Sequence, residues 1–298
     1  MKGRVFYITL GFCAALFWGY SFVWVKQALK VYQPLTILLG RHFVAATVLF
    51  IFFRLFAKKK FEIKKSDYKL FGLMTLFEPL LYFIGETYGI RYMSAGLAAI
   101  IIATIPLFSP IAAFFLAGED VKGYQIVGII CSFIGIFIIA LNNSFELYNP
   151  LGLFLMSIAV VAALGYSICC HKLLFRYSPV QIVLVQNTFG IVYFLPLFLI
   201  FEFGTLNSFV FDTTAFFAIF FLGIFPGVVA FLAYNTILRH LGLVRTIIFI
   251  NIIPVMTIAI AYFVLDEQIG LRKVFGTAFV LFGLFLSQRV KKGITNSR

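Results

Sequence analysis

Charge is what this 298-residue chain has least of: Asp, Glu, Lys and Arg together make up 12% of it, about half the share usual in a soluble domain. Too few charged side chains remain to cover a water-facing surface, which excludes a soluble globular protein. Cysteine is scarce as well. Cys13, Cys131, Cys169 and Cys170 all fall inside apolar runs, with no CxxC or Cys/His spacing, so small buried thiols are expected and no metal. Long polar connections are missing, which leaves no room for a separate enzymatic or nucleic-acid-binding domain. No glycine-rich phosphate loop of the adenine-nucleotide kind occurs, which argues against direct ATP drive. No cofactor is expected.

What the chain has instead is apolar length. Hydrophobic residues fill 62% of it. Ten runs can be drawn, near 5–28, 34–56, 70–90, 93–116, 122–141, 150–170, 180–202, 213–236, 243–264 and 270–289, each close to the roughly 20 residues that a bilayer-spanning helix needs. The expected fold class is all-α integral membrane with ten transmembrane helices. The first run follows Lys2 and Arg4 as a signal-peptide core would. It is too long for one, holds Trp18 and Trp24 and lacks a small-x-small cleavage site, so it is kept as the first span.

The basic residues report orientation. With a cytoplasmic N-terminus, 18 of the 24 Lys and Arg lie inside, including Lys58 to Lys60, Lys64, Lys65 and Lys69. Lys26, Lys30, Arg91, Arg272 and Lys273 lie outside, and Arg41 falls within a span. By the positive-inside rule both termini are expected to be cytoplasmic, in a multi-pass protein of a bacterial-type cytoplasmic (inner) membrane.

The chain is also written twice. At an offset of 146, Gly19-Tyr20-Ser21 and Lys26 fall on Gly165-Tyr166-Ser167 and Lys172. At an offset of 148, Arg91, Pro106, Glu119, Gly128 and Gly135 fall on Arg239, Pro254, Glu267, Gly276 and Gly283. Two five-helix repeats follow, 1–145 and 146–298, within one membrane domain. Five is odd, so the second repeat enters the membrane from the opposite face. An inverted repeat in so apolar a chain is a mark of secondary transporters, with the substrate held between the halves.

In its small-aromatic-Gly-x-Ser stretch, Phe17-Trp18-Gly19-Tyr20-Ser21, in Arg91-Tyr92-Met93-Ser94-Ala95-Gly96, in Pro106 and in Gly118-Glu119, the sequence resembles the drug/metabolite transporter superfamily, specifically its ten-helix EamA-type members. The resemblance covers nearly the whole chain. It implies export or exchange of small metabolites by alternating access, through a cavity lined by helices one, three, four, six, eight and nine.

Within the spans, ionised residues are costly and are kept where they face a cavity or a partner. Glu78 lies near mid-depth of helix three, and Glu86 about 6 Å from its outer end at the helical rise. With Tyr82 they form one stripe at i, i+4 and i+8, whose counterparts in helix eight are Pro226, Ala230 and Tyr234. Arg41 of helix two lies at a depth close to that of Glu86, so an Arg41–Glu86 ion pair is expected. Glu78 is then left as the proton- or cation-responsive group beside Pro79. His42 is expected to satisfy a local hydrogen bond. Pro106 and Pro254 free the carbonyls of Ile102 and Ile250, either as plain kinks or as hinges, and Asn251 is a candidate polar contact beside them. Gly128 with Gly135, and Gly276 with Gly283, mark close-packed faces of helices five and ten. Glu119 and Glu267 are expected to cap helices five and ten or to bind interfacial basic groups.

Trp18, Tyr20, Tyr82, Tyr166 and Tyr234 each carry a polar handle on a helix expected to line the cavity. They suit a substrate with an aromatic or aliphatic body, while Glu78 suits a cationic or zwitterionic head. The leading expectation is a secondary exporter of amino acids or amine-like metabolites, with proton coupling through Glu78. A lipid or lipid-linked sugar flippase of the same architecture is the alternative. A membrane-embedded enzyme is the least favoured class, since no nucleophile-base or metal constellation appears. Expected partners are a small-molecule substrate and the lipid bilayer, with a homodimer left open and no nucleic acid. The orientation is testable directly. Cysteines introduced at Asn149 and Asn207 should react with an impermeant maleimide outside intact cells, while one at Lys60 should not; the reverse pattern rejects the assigned topology.

Overall fold

Water is absent from the bilayer core, so each backbone N–H and C=O there must pair within its own segment or with a neighbour, and a chain this apolar is driven to helices. The computed structural model describes residues 2–56, 62–108, 123–140, 149–208 and 210–287, and among these there is no strand. The helices are α1 (Lys2–Ala28), α2 (Pro34–Phe56), α3 (Lys65–Arg91), α4 (Ala95–Phe108) and α5 (Gly123–Ala140). They continue with α6 (Pro150–Leu173), α7 (Pro179–Phe201), α8 (Thr213–Leu241), α9 (Leu243–Ile247, Ile248–Ile252 and Ile253–Leu265) and α10 (Leu271–Ser287). Seven of them are long and apolar enough to cross a membrane, and Ala95–Phe108 and Gly123–Ile139 are shorter apolar helices. The protein is an all-helical, multi-pass, ten-helix membrane protein. Glu119 lies outside the described residues.

Local chemistry sets the helix starts. Pro150 and Pro179 open α6 and α7, where a missing N–H costs nothing. Ser94, Asn149, Ser178 and Asp212 each accept a backbone N–H of the first turn that follows them. Two further starts are capped from far away in sequence. Glu202, just past α7, receives the N–H groups of Leu35 at 2.9 Å and Thr36 at 2.8 Å. Glu267 receives Ala95 N–H at 2.7 Å and pairs with Lys273 at 3.0 Å. The expected basic partner of Glu267 is therefore present, but the helix it caps is α4 and not α10. The reason is that α10 begins only at Leu271, whereas Ala95 and Gly96 present unpaired first-turn donors beside the carboxylate.

The inverted repeat is visible in its clamps. Tyr177, after α6, donates to Asp67 at the start of α3 at 2.8 Å. Its counterpart Tyr32, after α1, accepts the N–H of Asp212 at the start of α8 at 3.3 Å. Each repeat thus pins the third helix of the other, and consecutive spans alternate in direction, so the two clamps sit at opposite ends of the bundle. Helices α5 and α10 pack antiparallel, Gly135 against Gly276 and Gly128 against Gly283, with Ser132 Oγ donating to the Val280 carbonyl at 3.1 Å between them. A Cβ at position 135 would lie 2.6 Å from the Gly276 carbonyl oxygen. The obstacle is backbone and cannot rotate away. Gly135→Leu should therefore lose about 1–3 kcal/mol of stability and melt earlier in detergent, whereas Gly72→Ala, which has nothing within 4 Å of the added carbon, should melt as the parent does. Equal melting of the two variants would disprove the contact.

Candidate functional site

The residue before a proline is pushed out of the α region, and in α3 that residue is Glu78. Its φ of −146° and ψ of 116° are those of an extended chain, and the surrounding stretch Leu76–Leu81 is π-helical. A π-helical stretch recurs in α8, Phe225–Ala230 around Pro226, although there Phe225 keeps helical angles. Neighbouring helices take up polar groups at both breaks, as such defects demand in a membrane. Asn187 of α7 donates to the Gly227 carbonyl at 3.3 Å, and the Thr75 and Tyr193 hydroxyls meet at 3.2 Å. The break leaves Glu78 4% exposed and facing the interior, with no hydrogen bond or ion pair among the described residues.

One turn on, Tyr82 Oη donates to Glu86 Oε1 at 3.1 Å. Arg41 Nη1 stands 3.6 Å from Glu86 Oε2, an ion pair buried on both sides, and the guanidinium carbon lies 4.2 Å from the centre of the Phe83 ring. The separation exceeds hydrogen-bond length, and neither Nη1 nor Oε2 has a hydrogen-bond partner. His42, next to Arg41, stays out of this group. Its Nδ1 lies 2.7 Å from the Leu38 carbonyl of its own helix, and its ring packs against Phe83 and Phe194.

The opposite wall is a hydroxyl network. Tyr166 Oη donates to Gln186 Oε1 at 2.8 Å and receives Asn235 Nδ2 at 3.2 Å, and the Ser167 and Tyr234 hydroxyls meet at 3.0 Å. Between the walls lies a cavity lined from α1, α2, α3, α4, α6, α8 and α9. The empty space amounts to about 530 Å³, of which about 50 Å³ admits the centre of a water molecule. The site is narrow, and a ligand must move side chains to enter it.

The structure brings Trp18, Arg41, Glu78, Tyr82, Glu86, Tyr166 and Tyr234 to this one cavity. Two expected members are not on it, which corrects the sequence reading. Tyr20 packs on Trp24 with ring centres 4.4 Å apart, because the inward face of α1 runs through Trp18, Ser21 and Phe22, and Tyr20 is turned away from it. Asn251 lies in a 3-10 stretch, Ile248–Ile252, whose tighter winding turns Ile250 and then Ile253 inward and leaves the residue between them aside. Pro106 sits within the 3-10 stretch Ile105–Phe108, and Pro254 in the first turn of Ile253–Leu265. Both proline positions therefore coincide with a change of helix type. Sequence reasoning passed over Ser21, Ser167, Gln186 and Asn235. The two serines were in plain view inside the repeated Gly-Tyr-Ser triplets. Gln186 and Asn235 gave only the signal of an amide inside an apolar run.

Removing one member of a buried pair strands the other charge. Arg41→Gln should therefore destabilise the protein by about 3–5 kcal/mol, and adding Glu86→Gln should restore most of the loss. Thermal unfolding in detergent reads both; a single variant as stable as the parent would remove the pair from the energetics of the fold.

The pattern of the EamA-like transporter family matches residues 5–141 and again 150–288. An uncharacterized transporter of Archaeoglobus fulgidus is 27% identical over 276 residues, covering 92% of this chain and 95% of that protein. The uncharacterized transporter YoaV of Bacillus subtilis is 24% identical, covering 91% and 93%. A probable terminal-alkyne amino-acid exporter of Streptantibioticus cattleyicolor is 24% identical over 202 residues, covering 68% and 67%. A solved structure superposes with a TM-score of 0.69 at 16% identity over 94% of this chain and 97% of its own, a likeness of fold alone. With both halves matched, the chain belongs to the EamA-like transporter family.

Proposed function

We propose that the protein is a secondary transporter that exports small metabolites carrying a cationic nitrogen, amino acids or amine-like compounds, by alternating access with proton exchange at Glu78. The observation that carries this reading is Glu78 itself, a carboxyl group 4% exposed, set on a helix break, facing the cavity and without a partner among the described residues. An acid buried without a partner is costly in its ionised form. Either a proton or a ligand's ammonium group relieves that cost, and the two compete for the same oxygens. Binding of the cation expels the proton, and return of the proton on the other side expels the cation. Arg41, Glu86, Tyr82, Tyr166, Tyr234 and Cys170 are the other titratable groups in electrostatic reach of Glu78. Of these, only Arg41 carries a fixed positive charge.

The aromatic walls accept the apolar body of such a substrate. Trp18 packs edge-on to Phe231 and beside Tyr234, at 5.2 and 5.1 Å between ring centres. The name borne by the Streptantibioticus relative, an amino-acid exporter, supports both the chemical class and the direction. A flippase is less well supported, because the acid and the hydroxyl network are buried between helices and away from the lipid-facing surface.

The test is uptake into proteoliposomes across a range of internal and external pH. In the parent protein, binding should strengthen as pH rises through the range where Glu78 loses its proton. Glu78→Gln keeps the shape and removes the titration, so its residual transport should be independent of pH. An unchanged pH profile in a well-folded Glu78→Gln protein would return Glu78 to a structural role.

A further inference from the structure

We infer that Arg41 is the anchor for a carboxylate on the substrate, so that the central site selects a zwitterion over the corresponding amine. The inference rests on the reading of Glu78 as the cation-binding group. Its own ground is the unfinished contact between Arg41 and Glu86, two turns along α3 from Glu78. Arg41 Nη1 and Glu86 Oε2 face each other at 3.6 Å, and each lacks a hydrogen bond. A buried ion pair kept only for structure is held by direct hydrogen bonds that offset the loss of water. Here the other oxygen of Glu86 accepts from Tyr82, and the guanidinium carbon of Arg41 lies over the Phe83 ring, contacts that favour each group where it stands.

A guanidinium is a planar fork of donors that fits a carboxylate at two points. Arg41 is 2% exposed and lines the cavity, so a guanidinium whose Nη1 makes no hydrogen bond stands at the wall of the space where the ligand sits. The described cavity wall holds one guanidinium and two carboxyl groups, Glu78 and Glu86. Arg41 and Glu78 lie close enough to act on each other's charge. A zwitterion supplies a carboxylate to Nη1 and an ammonium to Glu78 in one molecule. An amine satisfies Glu78 and leaves Nη1 as it was. On this account Glu86 holds the guanidinium in place between transport events, and its loose contact is what lets the ligand in.

The experiment compares matched probes on the purified protein in detergent: valine, leucine and phenylalanine against 2-methylpropylamine, 3-methylbutylamine and 2-phenylethylamine, with leucinamide as an uncharged-carboxyl control. Binding is read by calorimetry. At least one amino acid should bind about tenfold or more tightly than its amine, the effect of a charge-assisted hydrogen bond, and leucinamide should behave as the amine does. In the charge-balanced variant Arg41→Gln/Glu86→Gln, which avoids stranding either charge, the ratio of amino acid to amine affinity should fall to about one. Amines that match their amino acids in the parent protein overturn the anchor and leave the Glu78 reading standing. Preference for the amino acid that survives in the double variant also overturns it. Failure of both series to bind a normally melting parent protein overturns the anchor together with the reading of Glu78.

Discussion

A proline in the middle of a membrane helix cannot donate the hydrogen bond its position requires, and the central site depends on that defect in α3. Pro79 holds the preceding residue out of the helical region, and that residue is an acid. Had Glu78 continued the helix, its side chain would have followed the ordinary face, and every backbone group around it would have been paired within α3. The break instead turns the chain through a π-helical stretch that leaves Glu78 buried at the cavity. The tyrosines of α6 and α8 bond with Gln186, Asn235 and Ser167 beside the same cavity, and Asn187 serves the Gly227 carbonyl of the break in α8.

The repeat supplies a second break in α8 but not a second acid. Pro226 follows a phenylalanine, and the polar groups two turns on are Tyr234 and Asn235 where α3 carries Glu86. The scaffold is thus two-fold while the chemistry is one-sided, so on the function proposed above a single acid would serve both orientations of the bundle. The two ends of the molecule differ in the same way. Lys26 at the end of α1 donates to the carbonyls of Ile90 and Met93 at 2.9 and 2.7 Å, tying α1 to the end of α3. Lys172, its counterpart on α6, is exposed. The end that carries Lys172 is tied instead by Arg176 and Tyr177 to Asp67, so the two ends of the bundle are held by different contacts.

Much of this was legible in the sequence because it rests on long, regular signals. Ten apolar runs, paired glycines seven apart and the matched Pro106 and Pro254 survive any uncertainty about rotation, and they appear as the helices, the α5–α10 contact and the changes of helix type in α4 and α9. Arg41 and Glu86 were legible through depth alone, since two charges at one level of a membrane have few other partners. Tyr20 and Asn251 were misplaced because facing depends on rotation within a turn, and a 3-10 stretch advances about 120° per residue in place of about 100°. Glu202 and Glu267 were not legible as caps of α2 and α4, because their partners lie more than 160 residues away in sequence. Only the folded chain brings an acid to a helix start at that range.

The narrowness of the cavity follows from the same arrangement. Aromatic rings fill the gap between an acid on one wall and hydroxyls on the other, and only about 50 Å³ is left for water centres. A site with room for only a few waters raises the cost of each unsatisfied charge in it, so a ligand that satisfies Glu78, as proposed above, gains more than contact area alone provides. To enter, it must part Trp18, Phe231 and Tyr234, which belong to α1 and α8, the first helix of one repeat and the third of the other. Filling the site therefore loads the boundary between the repeats, and that boundary is where an inverted-repeat transporter has to move.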